Sequence, residues 1–170
     1  MAHIRQWDVA GAKEVRKLDA KDLHTYNSGQ RVHFGGVRSL ALTADRKQLI
    51  AGGLYKGTNP LGAVHEPIIL RFEWDSQKVV KKHITTGVKG VIWRNVIHPD
   101  GFVIACSGGS GGGWLLFWNA GDAKAFHKFK MKDTAREMDL HPDGLQVAVV
   151  HWNKKVSICR LEKKPPSKKK

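Results

Sequence analysis

A short apolar run, a tight turn, a second apolar run and then an aromatic or apolar residue beside a polar one recur along this chain at nearly constant spacing. The turns are Thr43-Ala44-Asp45-Arg46, His98-Pro99-Asp100-Gly101 and His141-Pro142-Asp143-Gly144, and the units end at Trp74-Asp75, Trp118-Asn119 and Leu161-Glu162. His98 and His141 stand 43 positions apart, Trp74 and Trp118 stand 44 apart, and Trp118 and Leu161 stand 43 apart. A period in this range, with four short strands in each unit, is the mark of propeller blades. The expected fold is therefore all-β: a partial β-propeller of about three to four blades, each a four-stranded antiparallel sheet.

The best-formed unit runs from an apolar strand a (90–97) through Asp100-Gly101, a hairpin turn signal, to strand b (102–107). The glycine-rich stretch 108–113 links it to strand c (114–118), and strand d follows at 125–131. The unit before it has strands at 37–42, 48–53, 68–74 and 79–84, and the unit after it has strands at 135–140, 145–150 and 155–161 with no fourth strand. Ahead of them, 4–9 and 14–18 look like strands c and d of one further blade. The expected division is a partial blade (1–18), a blade with two long loops (19–86), a regular blade (87–132), a last blade lacking its fourth strand (133–162) and a lysine-rich tail (163–170). Strands a and b read as apolar on both faces, as inner strands sandwiched between blades should be. The d strands carry lysines, which discourage pairing at a sheet edge.

Charge enters at this point. The chain carries 29 Lys+Arg against 15 Asp+Glu, a formal +14, and its last eight residues hold five lysines and no acid. That tail has nothing apolar to bury and reads as disordered. Much of the remaining charge falls on the d strands, so it does not by itself call for a polyanion. No run has the length of a membrane-spanning helix and the first residues form no signal-peptide pattern, which points to a cytoplasmic protein or to one whose upstream part is missing. Cys106 and Cys159 have no metal-ligand or redox spacing and read as free thiols.

These residues resemble the WD-repeat (tryptophan–aspartate repeat) β-propeller family, of bacterial type, over nearly the whole chain before the tail. Ile4-Arg5-Gln6-Trp7-Asp8-Val9 followed by Lys13-Glu14-Val15-Arg16-Lys17-Leu18 is similar to that family's passage from strand c to strand d. The two His-Pro-Asp-Gly turns sit where the family has its a–b turn. The resemblance implies a rigid scaffold that gathers other proteins, usually without catalysis. Two family features are missing: a Gly-His dipeptide in the d–a loops before Val91 and Ala135, and the Asp of the b–c turn, replaced by the glycines at 108–113. The polar tetrad that staples many such blades is then incomplete, and packing must carry more of the stability.

Complete propellers have about four to eight blades. A chain with three blades and an extra strand or two resembles the C-terminal part of a propeller. Its outermost blade faces would expose more apolar area than the few hundred Å² usual for a monomer. Two ways of covering them follow: self-association, or N-terminal blades missing from this chain.

Two insertions stand out. Trp7 to Thr43 spans 36 positions where Trp74 to His98 spans 24, and Thr43 to Trp74 spans 31 where His98 to Trp118 spans 20. The excess lies in a d–a loop (19–36) and a b–c loop (54–67), which in an alternating four-strand blade emerge on the same face. Insertions on one face often mark a binding face. The candidate partner-binding residues are His24, Tyr26, Arg31, His33, Tyr55, Lys56, His65 and Glu66, whose aromatic and basic side chains suit a protein or anionic partner. The plainer reading is that these loops only cover a blade end.

Other chemistry finds little support. His24, His33, His65 and Glu66 are suitable ligand types but lack metal-site spacing. The glycines at 108–113 lead into a strand rather than a helix, so no phosphate loop is expected. His98 and His141 serve their turns, and no nucleophile with an evident base or paired carboxylates is present. No catalytic residue, metal or cofactor is expected. The leading reading is a non-catalytic protein-interaction scaffold with other proteins as partners. The alternative is a basic module for nucleic acid or another polyanion, disfavoured because its charge is spread over outer strands and tail instead of gathered with aromatics on one face.

Overall fold

The computed structural model describes residues 2–59 and 64–162. The lysine-rich tail and the middle of the 54–67 loop therefore lie outside the described residues.

Turn chemistry punctuates the chain. Gly101 and Gly144 close their turns with φ of 87° and 74°, a left-handed conformation that glycine adopts without a side-chain clash. In the first repeat Arg46 takes the same conformation, with φ of 57°. That turn is held by side chains: Thr43 Oγ1 donates to Asp45 Oδ1 at 2.6 Å, and the Lys47 amide donates to the same carboxylate at 3.0 Å. These bonds hold the Asp45 carboxyl below the usual carboxylate range. A turn without glycine is thus kept in register by its own polar groups.

Antiparallel meanders follow in chain order. β1 (His3–Asp8) pairs with β2 (Lys13–Asp19), and β3 (His24–Asn27) pairs with β4 (Val32–Gly35). β5 (Val37–Leu42), β6 (Gln48–Leu54), β7 (Pro67–Glu73) and β8 (Val79–Ile84) form a four-stranded sheet in that order. β9 (Val91–Ile97), β10 (Val103–Gly109), β11 (Gly112–Trp118) and β12 (His127–Lys130) form a second. β13 (Ala135–Leu140), β14 (Gln146–His151) and β15 (Val156–Arg160) form a three-stranded sheet. The architecture is all-β and propeller-like, and the described sheets do not close into a ring.

Three apolar clusters lie at successive sheet junctions. Ile4 and Leu18 meet Leu49, Ala51, Leu70 and Phe72. Ile50 and Ile69 meet Ile92, Val103, Leu116 and Trp118. Ile104, Cys106, Leu115 and Phe117 meet Met138, Val147 and Val149. The middle sheet thus sends alternate residues of β10 and β11 into two different cores, as the two-residue side-chain period requires. Burial of each large side chain contributes about 1.5–3 kcal/mol.

Polar links cross the same junctions. The Trp118 indole N–H donates to the Ile84 carbonyl at 3.2 Å, and the Ile84 amide donates to the Ala123 carbonyl at 2.8 Å. His98 accepts the Asp100 amide on Nδ1 at 3.0 Å, so its Nε2–H donates to the Gly144 carbonyl at 2.8 Å. This histidine serves its own turn and also ties that turn to the next one.

Three expectations need correction. Strand a is not apolar on both faces in every repeat: β5 alternates, leaving Leu40 and Leu42 nearly half exposed, whereas the b strands β6 and β10 are buried on both faces, as are β7 and β11. Leu40 and Leu42 pair with Ala51 and Leu49 and so lie on the face turned towards β1 and β2, and that two-stranded sheet has no inner strand to cover β5. The glycines at 108–113 are not a long loop, because β10 runs to Gly109 and β11 starts at Gly112. A Cβ at Gly108 would strike the Ala135 carbonyl and one at Gly113 the Asp133 carbonyl, so these glycines let the last sheet approach closely. The fourth strand of the middle sheet is shorter than expected, covering only His127–Lys130.

The inner strands share one irregularity. In β5, β9 and β13 the pairing register slips once, skipping Arg38, Trp93 and Arg136. Each is the extra residue of a β-bulge, which bends the strand and re-aims the bulged side chain.

Candidate functional site

The d–a insertion is built by local hydrogen bonds. Asp19 accepts the Lys21 amide at 2.9 Å and opens a 3-10 turn, Lys21–Leu23. That turn buries Leu23 in the first core, and a 2.9 Å ion pair between Asp22 and Lys82 ties it to β8. The β3–β4 hairpin follows. Asn27 accepts the Gln30 amide at 3.0 Å in its turn, and Arg31 closes the turn at a φ of 53°.

On this hairpin the His24 and His33 rings hydrogen-bond through Nε2 and Nδ1 at 2.9 Å, and Tyr26 lies against His33 with ring centroids 4.5 Å apart. Partial burial, reinforced by the neighbouring His33, pushes the His24 imidazole below its ordinary pKa. The b–c loop begins with Tyr55, whose amide donates to the Glu66 carbonyl at 3.1 Å, and Lys56 sets its ammonium 5.1 Å from the Tyr55 ring. His65 meets Thr58 Oγ1 at 2.7 Å and accepts the Gly90 amide at 2.9 Å, which links this loop to the next sheet. The insertions touch where Phe34 and Leu54 crowd Gly57.

The candidate residues thus form two groups on adjoining loops. His24, Tyr26 and His33 sit on the hairpin with Arg31 at its tip, whereas Tyr55, Lys56, His65 and Glu66 sit at the base of the b–c loop. They do not converge on one cavity. Of the eight, His33 alone lines the cleft beside the loops, a space of about 690 Å³.

That cleft is dominated by residues the repeat pattern did not single out: Arg38, Trp93, Arg136 and Trp152. The Arg38 guanidinium lies 5.6 Å from the Trp93 ring. Arg136 lies 4.5 Å from Trp93 and 4.2 Å from Trp152. The Trp93 indole N–H donates to the Gly108 carbonyl at 3.1 Å, which fixes the middle of the stack. Arginine and tryptophan therefore alternate along the cleft in an ordered stack. A signal existed in principle: all three inner-strand members occupy the start of strand a in their repeats.

Among the described residues, no three His, Cys, Asp or Glu side chains gather closely enough to hold a metal ion. Burial pushes the Cys106 thiol up to about 12, so it stays protonated inside the core. Among the described residues no helix is long and apolar enough to cross a membrane.

No protein-family model and no curated protein matches the sequence. Solved structures do match the fold. The WD40 β-propeller domain of Doa1 is similar with a TM-score of 0.66 and 15% identity, over 95% of this chain and 45% of that one. The hydrazine synthase of Kuenenia stuttgartiensis is similar with a TM-score of 0.65 and 14% identity, over 88% of this chain and 38% of that one. The likeness shows a propeller fold, and this chain spans less than half the length of either structure.

Proposed function

We propose that this chain is a non-catalytic interaction scaffold of WD-repeat type that docks other proteins on the face carrying residues 19–36 and 54–67. One observation carries the reading: both departures from the bare repeat lie on one side of one sheet and meet at Phe34, Leu54 and Gly57 beside the cleft. The hairpin there holds a half-exposed Tyr26 and an exposed His33 on a short, hydrogen-bonded frame, which lowers the ordering cost of contact. The fold shared with the WD40 domain of Doa1 supports a protein-interaction role.

A photo-crosslinking residue placed at Tyr26 or Tyr55, and separately at Lys81 or Asp143 as controls, tests the face. Protein adducts from the first two positions and not from the controls are expected. Adducts that come mainly from the controls would reject this face.

A further inference from the structure

The cleft beside the docking loops has a chemistry of its own. We infer that it receives an acidic peptide segment, whose carboxylates seat on Arg38 and Arg136 while an apolar side chain covers the open surface of Trp152. This names the partner chemistry of the scaffold reading and rests on it.

Geometry comes first. Arg38, Trp93 and Arg136 are the bulge residues of three neighbouring inner strands, so one repeat position supplies three consecutive members of the stack. Trp152 follows β14 and continues the stack beyond Arg136. A guanidinium lying over an indole has its plane occupied and its N–H edge free. That edge is the part that grips a carboxylate through two parallel hydrogen bonds.

Charge points the same way. Among the described residues no Asp or Glu lines the cleft. Among the described residues neither Arg38 nor Arg136 forms an ion pair, whereas Arg94, one residue beyond the β9 bulge, reaches Glu137 at 3.5 Å. Lys82, Arg5 and Arg160 likewise have acidic partners. Those four are the ion-paired Lys and Arg side chains among the described residues; what sets Arg38 and Arg136 apart is that they are stacked on tryptophan and face an open space of about 690 Å³. Trp152 is 68% exposed, a large apolar surface placed at the end of this charged row.

A peptide fits better than a polynucleotide. A single strand needs a series of open ring faces and a basic track for its phosphates. Here Trp93 carries a guanidinium from each neighbouring inner strand, and among the described residues no lysine lines the cleft.

The test uses the full 170-residue chain and fluorescence anisotropy with a labelled peptide of alternating glutamate and phenylalanine. Its glutamine counterpart and labelled oligothymidylate serve as comparison probes. The acidic peptide should bind and the glutamine peptide should not. Arg38→Gln and Arg136→Gln should each weaken binding about tenfold, the range of a lost charged hydrogen bond. Trp152→Ala should weaken it as well, while Lys17→Gln with Lys132→Gln, which remove the same charge elsewhere, should leave it unchanged. All these positions are at least partly exposed, and unchanged thermal melts establish that the variants fold.

No binding of the acidic peptide, equal loss in the lysine pair, or tighter arginine-dependent binding of oligothymidylate would overturn the inference. Repeating the Tyr26 crosslink in the Arg38→Gln/Arg136→Gln variant separates this idea from the scaffold reading. Adducts that persist keep the scaffold and discard the acidic-peptide site; adducts that vanish with peptide binding support both.

Discussion

The middle sheet and the last sheet are built from similar sequence and end in different environments. In β11, Leu115 to Trp118 are all buried, because Leu116 and Trp118 face one neighbouring sheet while Leu115 and Phe117 face the other. In the last sheet, Met138, Val147 and Val149 pack inward, but Val156 and Ile158 stay more than 60% exposed. The residue types are alike. What differs is a second neighbour, so in this fold the worth of an apolar side chain is set by the adjoining repeat more than by its own strand.

That contrast is open to measurement. Trp118→Ala should cost about 3–5 kcal/mol in urea unfolding, whereas Ile158→Ala should stay within about 0.5 kcal/mol. Comparable losses at both sites would mean that the last sheet is covered in solution.

The junction between the two four-stranded sheets should also respond to pH. His83 is fully buried, accepts from Arg71 Nε at 3.2 Å on Nε2 and so donates from Nδ1 to the Asp122 carbonyl at 2.7 Å. Burial lowers its pKa from 6.5 to about 4. The neutral ring is the native form, so its contribution is fully present above pH 6.5, declines as pH falls towards 4, and is absent below that. The loss is roughly 3 kcal/mol. A pH series of urea midpoints should show this arm, and His83→Gln should flatten it.

Glycine substitutions sharpen the comparison at smaller scale. Gly113→Ala drives a methyl into the Asp133 carbonyl, where the last sheet closes on the middle one, and should cost about 1–3 kcal/mol. Gly121→Ala meets nothing within 4 Å and should leave the melting temperature nearly unchanged. If both are silent, the last sheet is less firmly seated than its contacts imply.

The propeller framework was legible because its signals are local. Asp100-Gly101 and Asp143-Gly144 mark turns wherever they occur, and the unbroken apolar runs of β6, β10 and β11 declare strands covered on both faces. The shared side of the two long loops followed from strand alternation alone. The exposure of Leu40 and Leu42 was hidden, since a leucine-rich strand reads the same whether or not the adjoining sheet has an inner strand to cover it. The stack was hidden for another reason. Arg38, Trp93, Arg136 and Trp152 are far apart in the chain, and a bulge is a property of paired strands, absent from either strand's own pattern. Selecting loop residues by type found the His24–His33–Tyr26 group and missed the row beside it.

The skipped residue in each inner strand has a consequence for how such a protein can change. A bulge residue takes no part in the pairing ladder, and Arg38 and Arg136 lie outside the three apolar cores while Trp93 packs against the last of them, so replacing either arginine leaves the architecture alone. Repetition then provides a row of interchangeable positions, one per unit. Duplicating a unit lengthens the row, and a single substitution rewrites one character of it while the barrel-stave strands around it stay as they were.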